Sequence, residues 1–208
     1  MTRDLFVTAT DTGVGKTVLS ALLVASLNRR YWKPIQTGAS EGTDRAAVVK
    51  WAGVTIEDTY PEAFLFDPPV SPHLAAEQQG KRIDLDAIRR PPDSHPIVIE
   101  GAGGVLVPIN EDALMIDLIR RLQAAVVIAA RSTLGTINHT LLTVEAARNA
   151  NLPLIGVVMV GRENVDNRKA IERYARVPVV GAIPWLESIN RSSLIRVFEQ
   201  HFDKTAFK

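Results

Sequence analysis

A loop near the beginning of the chain has the residue types and spacing that bind nucleotide phosphates. Residues 8–17 read TATDTGVGKT and lie between an apolar run and a stretch with helical spacing. Backbone N–H groups of such a loop surround phosphate oxygens, the lysine reaches the β- and γ-phosphates, and the threonine hydroxyl ligates Mg²⁺. The pattern predicts an ATP-binding loop, although Thr10 stands where the common motif has its first glycine. The predicted contacts are Thr12, Gly13, Val14, Gly15, Lys16, Thr17 and Val18.

Two acidic residues and a second lysine occupy positions from which they could act on the same phosphates. Glu100 ends the apolar run IVIE before the small residues GAGG, which predicts a Mg²⁺ ligand at the mouth of a ligand-binding crevice. Lys33 ends another apolar run, and Asp44 opens a helix that Thr43 caps. From the residues alone, Lys33 is more simply a solvated lysine, and Asp44 a first-turn acid favoured by the helix dipole. The corresponding alternative for Glu100 is a strand-end acid in a surface turn.

Short apolar runs rich in β-branched residues alternate with stretches of helical spacing along the chain. The runs are continuous rather than alternating, which is typical of strands buried on both faces of a parallel sheet. This order predicts an α/β fold of the P-loop NTPase type, with a doubly wound, mostly parallel sheet that binds ligands beyond the carboxyl ends of its strands. The predicted strands are 5–8, 31–35, 96–99, 125–129, 154–159 and 177–183, and the clearest predicted helices are 16–30, 113–123 and 136–150.

The chain is predicted to form one domain over residues 1–208, since no linker, repeat or low-complexity tract divides it. Residues 57–95 contain PPVSPH and PPDSHP, so they are interpreted as an irregular insertion that carries one or two short helices. The C-terminal segment HFDKTAFK is expected to fray.

The composition is that of an ordinary globular protein, and it excludes several kinds of chemistry. Apolar residues make up 46% of the 208 residues and charged residues 23%, with a net charge of +1, so neither nucleic acid nor an anionic membrane is an expected partner. The absence of cysteine excludes disulfides, thiolate nucleophiles and Cys-ligated zinc. The N-terminal segment MTRDLFVTAT lacks the apolar region of a signal peptide, and a cytoplasmic location is expected.

Six separated motifs occur in the order in which dethiobiotin synthetases carry them. They are GVGKT, YWKPIQTG, SPH, EGAGG, LGTINHTLLT and IPWL, and they extend from about residue 5 to residue 187. The chain therefore resembles this family over nearly its whole length, whereas other P-loop families share only the first motif. The resemblance implies an ATP- and Mg²⁺-dependent cyclo-ligase that makes dethiobiotin from 7,8-diaminononanoate and CO₂, through a carbamate and a carbamic-phosphoric anhydride.

The resemblance also implies roles that the residue types alone leave open. It implies that Lys16, Lys33 and Thr12 are catalytic, with Lys33 bridging the carbamate and the γ-phosphate. Both lysine side chains are expected to be exposed while the site is empty. The implied Mg²⁺ ligands are Thr17, Asp44 and Glu100. The implied substrate contacts are Thr37, Ser71, Pro72 and Gly103, and the nucleotide contacts expected outside the loop are Pro184, Trp185 and Leu186.

A second anion site is expected at the segment LGTIN, which resembles a helix N-terminus. Free backbone N–H groups at such a terminus suit a carboxylate. In the family this segment holds the carboxylate of the substrate and comes from the partner subunit, so the resemblance implies a homodimer with active sites at its interface. An ordinary strand-to-helix turn is the alternative. The residues concerned are Gly135, Thr136, Ile137 and Asn138.

Two residues depart from the family pattern. Ala9 stands where the loop usually opens with glycine, and the expected effect is modest if its φ is negative. Val160 stands where an asparagine often reads the edge of adenine, so weak discrimination between nucleotide bases is expected.

Two other P-loop classes share part of the pattern. ATPase switches of the partitioning type carry a second lysine early in the loop, where this chain has Thr10, Asp11 and Thr12. The ATP-using domains of cobyrinic-acid amide synthetases require a glutaminase domain, for which no room is expected in 208 residues. Both classes are therefore less consistent with the sequence than a dethiobiotin synthetase.

Overall fold

The computed structural model describes residues 3–208, so Met1 and Thr2 of the predicted domain and N-terminal segment lie outside the described residues. The strands are β1 (Leu5–Ala9), β2 (Arg30–Trp32), β3 (Ile35–Gln36), β4 (Thr59–Tyr60), β5 (Phe64–Leu65), β6 (Ile97–Glu100), β7 (Ala125–Arg131), β8 (Leu154–Val160) and β9 (Val179–Ile183). The helices are α1 (Lys16–Leu27), α2 (Asp44–Ala52), α3 (Pro72–Gln78), α4 (Met115–Leu122), α5 (Thr136–Asn149), α6 (Val165–Ala175) and α7 (Arg191–His201).

Seven strands form one parallel sheet in the order β4-β2-β6-β1-β7-β8-β9. The chain winds from β1 outward to β4 and later from β7 outward to β9, so the direction of winding reverses beside β1. A crevice forms beyond the carboxyl ends of the strands at such a reversal. The predicted doubly wound α/β fold is confirmed.

Both faces of the sheet are buried, which explains why the strands are continuously apolar. Along β1, Phe6 packs on the face covered by α4, α5 and α6, while Leu5 and Val7 pack on the face covered by α1, α2 and α7. Successive side chains of a strand point to opposite faces, so a strand buried on both sides has no polar alternation.

The chain leaves the main sheet at Lys33, and the single strand predicted over residues 31–35 is therefore wrong. β2 ends at Trp32, whereas β3 pairs with β5 in a separate two-stranded sheet. Pro34 has no N–H to donate to a neighbouring strand. Its carbonyl instead accepts hydrogen bonds from the N–H groups of Ala63 and Phe64, at 2.9 and 3.0 Å. This break places Lys33 at the edge of the crevice, directly beyond β2.

Residues 57–95, the predicted irregular insertion, contain the short elements β4, β5 and α3. β4 pairs with β2 as an edge strand of the main sheet, while β5 pairs with β3 in the two-stranded sheet. The helix predicted over 16–30 ends at Leu27, because Asn28 adopts a left-handed conformation with a φ of 51°.

The C-terminal segment is packed, so the expectation that it frays is wrong. Phe202 bridges to Gly181 in β9, and its ring lies 5.2 Å from the ring of Phe198. Phe207 is buried against Phe198, with ring centroids 5.9 Å apart. Three aromatic side chains that bury one another explain why this polar-looking tail is ordered. Across residues 3–208, the structure contains no helix with the length and hydrophobicity needed to cross a bilayer.

Candidate active site

The predicted phosphate loop connects the end of β1 to the beginning of α1, at the carboxyl edge of the sheet. Gly13 and Gly15 have φ values of 67° and 113°, which residues with a side chain rarely adopt. Gly15 is also the residue immediately before α1. The first N–H groups of a helix have no partner within the helix, so this turn provides donors for an anion.

Lys16 is held close to this loop and is buried. The residue is only 8% exposed, and its Nζ lies 3.5 Å from the carbonyl oxygen of Asp11. Burial lowers the pKa of the Lys16 ammonium, while the nearby Glu100 carboxylate acts in the opposite direction. The expectation that this lysine is exposed in the empty site is therefore wrong.

Lys33 lies between two carboxylates that come from different elements. Its Nζ donates to Asp44 Oδ2, at the beginning of α2, and lies 3.4 Å from Glu100 Oε1, at the end of β6. Lys33 is only 5% exposed, so the expectation of an exposed side chain is wrong for this lysine as well. Burial lowers the pKa of the Lys33 ammonium, but the charges of Glu100 and Asp44 outweigh it and the pKa is raised. The interpretation of Lys33 as a solvated lysine does not fit this environment.

The Glu100 carboxylate is fully buried, and each of its oxygens has its own donor. Oε1 accepts from the Thr17 hydroxyl at 2.9 Å, and Oε2 accepts from the Tyr31 hydroxyl at 3.0 Å. Tyr31 is fully buried as well. Its burial, and next the negative charge of Glu100, both raise the pKa of the Tyr31 hydroxyl. The strand-end acid is thus part of an internal network rather than a surface turn.

The oxygen donors around Lys33 fit a hard divalent cation. Thr17, Asp44 and Glu100 supply a hydroxyl and two carboxylates, the ligand types that Mg²⁺ prefers. Among the described residues 3–208, no group of three or more His, Cys, Asp or Glu side chains could hold a metal by itself. Two carboxylates are enough for Mg²⁺ that also binds nucleotide phosphates and water. In this structure the Lys33 ammonium provides the positive charge between these two acids.

A cavity of about 720 Å³ opens above this cluster and is large enough for a nucleotide phosphate chain and a small substrate. The phosphate loop, α2 and the loop after β6 form its walls. The predicted site residues in its lining are Thr12, Gly13, Gly15, Lys16, Thr17, Val18, Lys33, Thr37, Asp44, Ser71, Pro72, Glu100 and Gly103. Val14 is buried in the apolar cluster that contains α1 and is not in this lining.

Several residues that shape the site were missed by sequence reasoning. Gln36, which also lines the cavity, accepts from the Asp44 N–H at 3.0 Å and donates to the Thr37 carbonyl at 2.6 Å, so it links two predicted contacts. Arg131, at the end of β7, donates to the Thr12 carbonyl of the phosphate loop at 2.7 Å. The contact of Arg131 has no local sequence signal, because its partner lies 119 residues away and is brought to it only by the fold.

The LGTIN segment lies apart from this cavity. Gly135 precedes α5 with a φ of 93°, and Leu134 beside it is fully exposed. Within the part of the chain that the structure describes, none of the four residues from Gly135 to Asn138 is in the lining of the 720 Å³ cavity. The next turn of α5 borders a second cavity of about 400 Å³, which His139 and Leu142 line together with Leu106 and residues 10–12 of the phosphate loop.

The segment predicted to contact the nucleotide base follows β9 on the other side of the loop. Ile183 at the end of β9 pairs with Val160 at the end of β8. An added Cβ at Gly15 would lie only 3.0 Å from Val160 Cγ1, so Val160 is packed against the phosphate loop. Trp185 is mostly exposed beyond β9, and Leu186 is partly buried. This pairing places Ile183, the first residue of the IPWL motif, beside Val160. Within the described residues, Pro184, Trp185 and Leu186 are not in the lining of the 720 Å³ cavity.

The chain is similar to known proteins over nearly its whole length. Residues 3–193 match the family model described as an AAA domain. An ATP-dependent dethiobiotin synthetase from Rhodopseudomonas palustris (strain HaA2) is 45% identical over 207 residues, which cover 100% of this chain and 97% of that relative. The chain belongs to the dethiobiotin synthetase family. Another synthetase, from Paramagnetospirillum magneticum, is 48% identical over 192 residues, which cover 92% of this chain and 93% of the relative.

Solved structures of other P-loop ATPases share the fold of this family member. The cell-division ATPase MinD of Pyrococcus furiosus superposes with a TM-score of 0.57 over 96% of this chain and 98% of that chain, at 16% identity. A ParA-family ATPase from Chlorobium tepidum TLS gives a TM-score of 0.54 over 96% of this chain and 93% of that chain, at 12% identity. These likenesses concern the architecture alone.

One departure from the dethiobiotin synthetase pattern has a simple explanation in the structure. Ala9 is the buried last residue of β1, and its φ is not positive. A glycine is therefore not required at this point of the loop.

Proposed function

We propose that the protein uses ATP to form dethiobiotin from 7,8-diaminononanoate and CO₂. The observation that carries this proposal is the placement of Lys33 between Asp44 and Glu100 beside the phosphate loop, in a chain of the dethiobiotin synthetase family. One substrate amine adds to CO₂ and loses a proton, and an oxygen of the resulting carbamate attacks the γ-phosphorus of ATP and displaces ADP. The second amine attacks the carbonyl carbon of the carbamic-phosphoric anhydride and expels phosphate as the ring closes.

The lysines bring two anions together in this proposal. A carbamate and a triphosphate repel each other, so they react only where cations and aligned donors hold them in place. Lys16 and the N–H groups of the loop bind the β- and γ-phosphates. Lys33 moves from its carboxylates to the γ-phosphate and the carbamate, while Thr12 and Thr37 donate hydrogen bonds to the carbamate or the diamine.

Thr17, Asp44 and Glu100 are the residues that would hold Mg²⁺ in this scheme. The support is their convergence: the Thr17 hydroxyl and the Glu100 carboxylate lie 2.9 Å apart, and Lys33 touches both acids. Bound Mg²⁺ supplies neutralisation of the phosphate charge. The ligands themselves need little movement, because Lys33 is the group that leaves the space between them.

The test of the reaction follows ADP release and product together. With ATP, the diamine and ¹³C-bicarbonate, ADP release is expected to depend on both other substrates, and mass spectrometry is expected to find one labelled carbon in each ring. No partner protein or ammonia source is needed. ADP release that is equally fast without the diamine would contradict the proposal and favour an ATPase switch.

We also propose a homodimer in which Gly135 to Asn138 of the partner subunit bind the carboxylate of the diamine. In support, this segment does not line the cavity that contains Lys33 within its own described chain. Leu134, next to this segment, is exposed, and Leu142 in the following turns of α5 is exposed as well and lines the second cavity together with the exposed Leu106. Exposed apolar side chains of this kind are suited to burial against a second copy. The N–H groups of Ile137 and Asn138, in the first turn of α5, would then face the far end of the substrate.

Replacing Glu100 with glutamine is expected to raise the Mg²⁺ concentration for half-maximal activity by at least about tenfold, because a ligand charge is lost from the metal site. The measurement is turnover as a function of free Mg²⁺ at saturating ATP and diamine. Glu41→Gln removes a carboxylate from the lining of the same cavity but not from the Lys33 cluster, and its metal requirement should match that of the wild type. An unchanged Mg²⁺ titration for Glu100→Gln would remove Glu100 from the metal site.

The protein is expected to use GTP or CTP within about tenfold of ATP, or roughly 1.4 kcal/mol, since Val160 offers no hydrogen bond to a base. The measurement compares kcat/KM for the three triphosphates. Val160→Asn restores an amide of similar size at the edge of the phosphate loop, and it is expected to increase the preference for ATP. Strict ATP selectivity in the wild type would show that other groups, such as the backbone of residues 184–186, read the base.

A further inference from the structure

The two oxygens of the Glu100 carboxylate face different surroundings. Oε1 points to the polar side, where Thr17 donates to it at 2.9 Å and the Lys33 Nζ lies 3.4 Å away. Oε2 points into the protein interior and receives one hydrogen bond there, from the Tyr31 hydroxyl at 3.0 Å. The carboxylate therefore has an outer oxygen on the side of the cavity and an inner oxygen held by a single tyrosine.

The sheet register explains why the tyrosine reaches this oxygen. Tyr31 on β2 is paired with Val98 on β6, and Glu100 lies two residues further along the same face of β6. The tyrosine ring fills the apolar layer between the sheet and α1, together with Val98 and Leu23. Its hydroxyl is thereby fixed by the packing of the ring, at the level of the carboxylate.

Burial makes this hydrogen bond matter. Tyr31 and Glu100 are both 0% exposed, so solvent has no direct access to replace a lost donor. A buried carboxylate oxygen without a donor is unfavourable, and a carboxylate freed on one side can rotate about its last bond. Such a rotation would turn Oε1 away from Thr17.

We propose that Tyr31 is a positioning residue, whose hydroxyl orients the Glu100 carboxylate so that Oε1 faces Thr17 and the cation that these two residues hold. The inference rests on the proposed function, because it assumes that Glu100 is a Mg²⁺ ligand. Tyr31 touches neither nucleotide nor substrate in this scheme and acts only through Glu100. Supporting partners of this kind typically change metal affinity by about 10–100-fold when they are removed.

The test is the affinity of the folded protein for Mn²⁺, measured by titration calorimetry at saturating ADP without diamine. Tyr31→Phe keeps the ring and its packing, so the fold is retained, and the dissociation constant of Mn²⁺ is expected to rise by about tenfold. Tyr60→Phe is the matched control. Tyr60 lies on β4, the strand next to β2, and its hydroxyl also donates to a carboxylate, that of Asp93, which does not line the cavity. The affinity of Tyr60→Phe for Mn²⁺ should equal that of the wild type.

Glu100→Gln separates the inference from the proposed function. If this variant binds Mn²⁺ weakly while Tyr31→Phe binds it as the wild type does, Tyr31 is only a core residue and the inference is wrong. If Glu100→Gln also binds Mn²⁺ normally, Glu100 is not a ligand and the proposed metal site fails. In the double variant, the loss is expected to equal that of Glu100→Gln alone, since Tyr31 acts through Glu100. Additive losses would overturn the inference.

Discussion

Replacing Lys33 with alanine is expected to lower kcat by roughly two to three orders of magnitude, because one cation is lost from the transferring phosphoryl group. The affinity for the nucleotide should change less, since Lys16 and the loop N–H groups remain. The measurement is single-turnover formation of ADP and labelled product under saturating substrates. Lys50→Ala, on the exposed surface of α2, is the matched control and should retain wild-type turnover.

Lys33→Ala is also expected to bind Mn²⁺ more tightly than the wild type when no nucleotide is present. Lys33 neutralises Asp44 and Glu100 in this structure, so its removal leaves two neighbouring carboxylates without their ammonium partner. We expect about tenfold tighter binding, or roughly 1.4 kcal/mol, which is within the Coulomb energy of neighbouring charges in a protein. The melting temperature of Lys33→Ala should be lowered without metal and should recover when Mn²⁺ is added, because an unpaired buried charge is destabilising.

These two results are expected in opposite directions, which separates them from simple unfolding. A misfolded variant would lose turnover and metal binding together, whereas the loss of Lys33 alone should lower the first and strengthen the second. Near-normal turnover in Lys33→Ala would contradict the carbamate-bridging role. Weaker nucleotide-free Mn²⁺ binding would show that Lys33 does not compete with the cation for these acids.

The sequence predicted the elements of the fold well because their signals are local. Continuous apolar runs gave the parallel strands, and the GVGKT loop gave the position at which β1 meets α1. The break after Lys33 was missed, although Pro34 was its signal, since the run of apolar residues continues to Ile35 on the far side. Apolar character alone does not tell which sheet a residue joins.

The candidate site was predictable in its chemistry but not in its environment. Motif positions identified Lys33, Asp44 and Glu100, yet the side chains of Lys16 and Lys33 were expected to be exposed and are buried. The environment of Lys33 depends on carboxylates that lie 11 and 67 residues away in the sequence, a pairing that only the folded chain determines. The Tyr31 hydroxyl was missed for the same reason, because a tyrosine within an apolar strand has no sequence feature that distinguishes a donor from a core ring.

Mixing two inactive variants is expected to restore about a quarter of wild-type activity if the active site spans two subunits. One variant carries Lys33→Ala. The other carries Ile137→Asp and Asn138→Asp, which place two negative charges in the first turn of α5, where the substrate carboxylate should bind. Acids are favoured in the first turn of a helix, so this second variant should fold normally while repelling the substrate.

The expected quarter follows from the arrangement of the subunits. Random exchange makes half of the dimers mixed, and each mixed dimer has one site with both defects and one with neither. The measurement is dethiobiotin formation after exchange, with mixed dimers verified by native mass spectrometry. Mixing Lys33→Ala with Lys16→Ala is the matched control, because both lysines serve the same half of the site and each site of a mixed dimer then keeps one defect. No recovery in the first mixture, despite verified exchange, would mean that each site is built from one chain and that Gly135 to Asn138 form an ordinary turn.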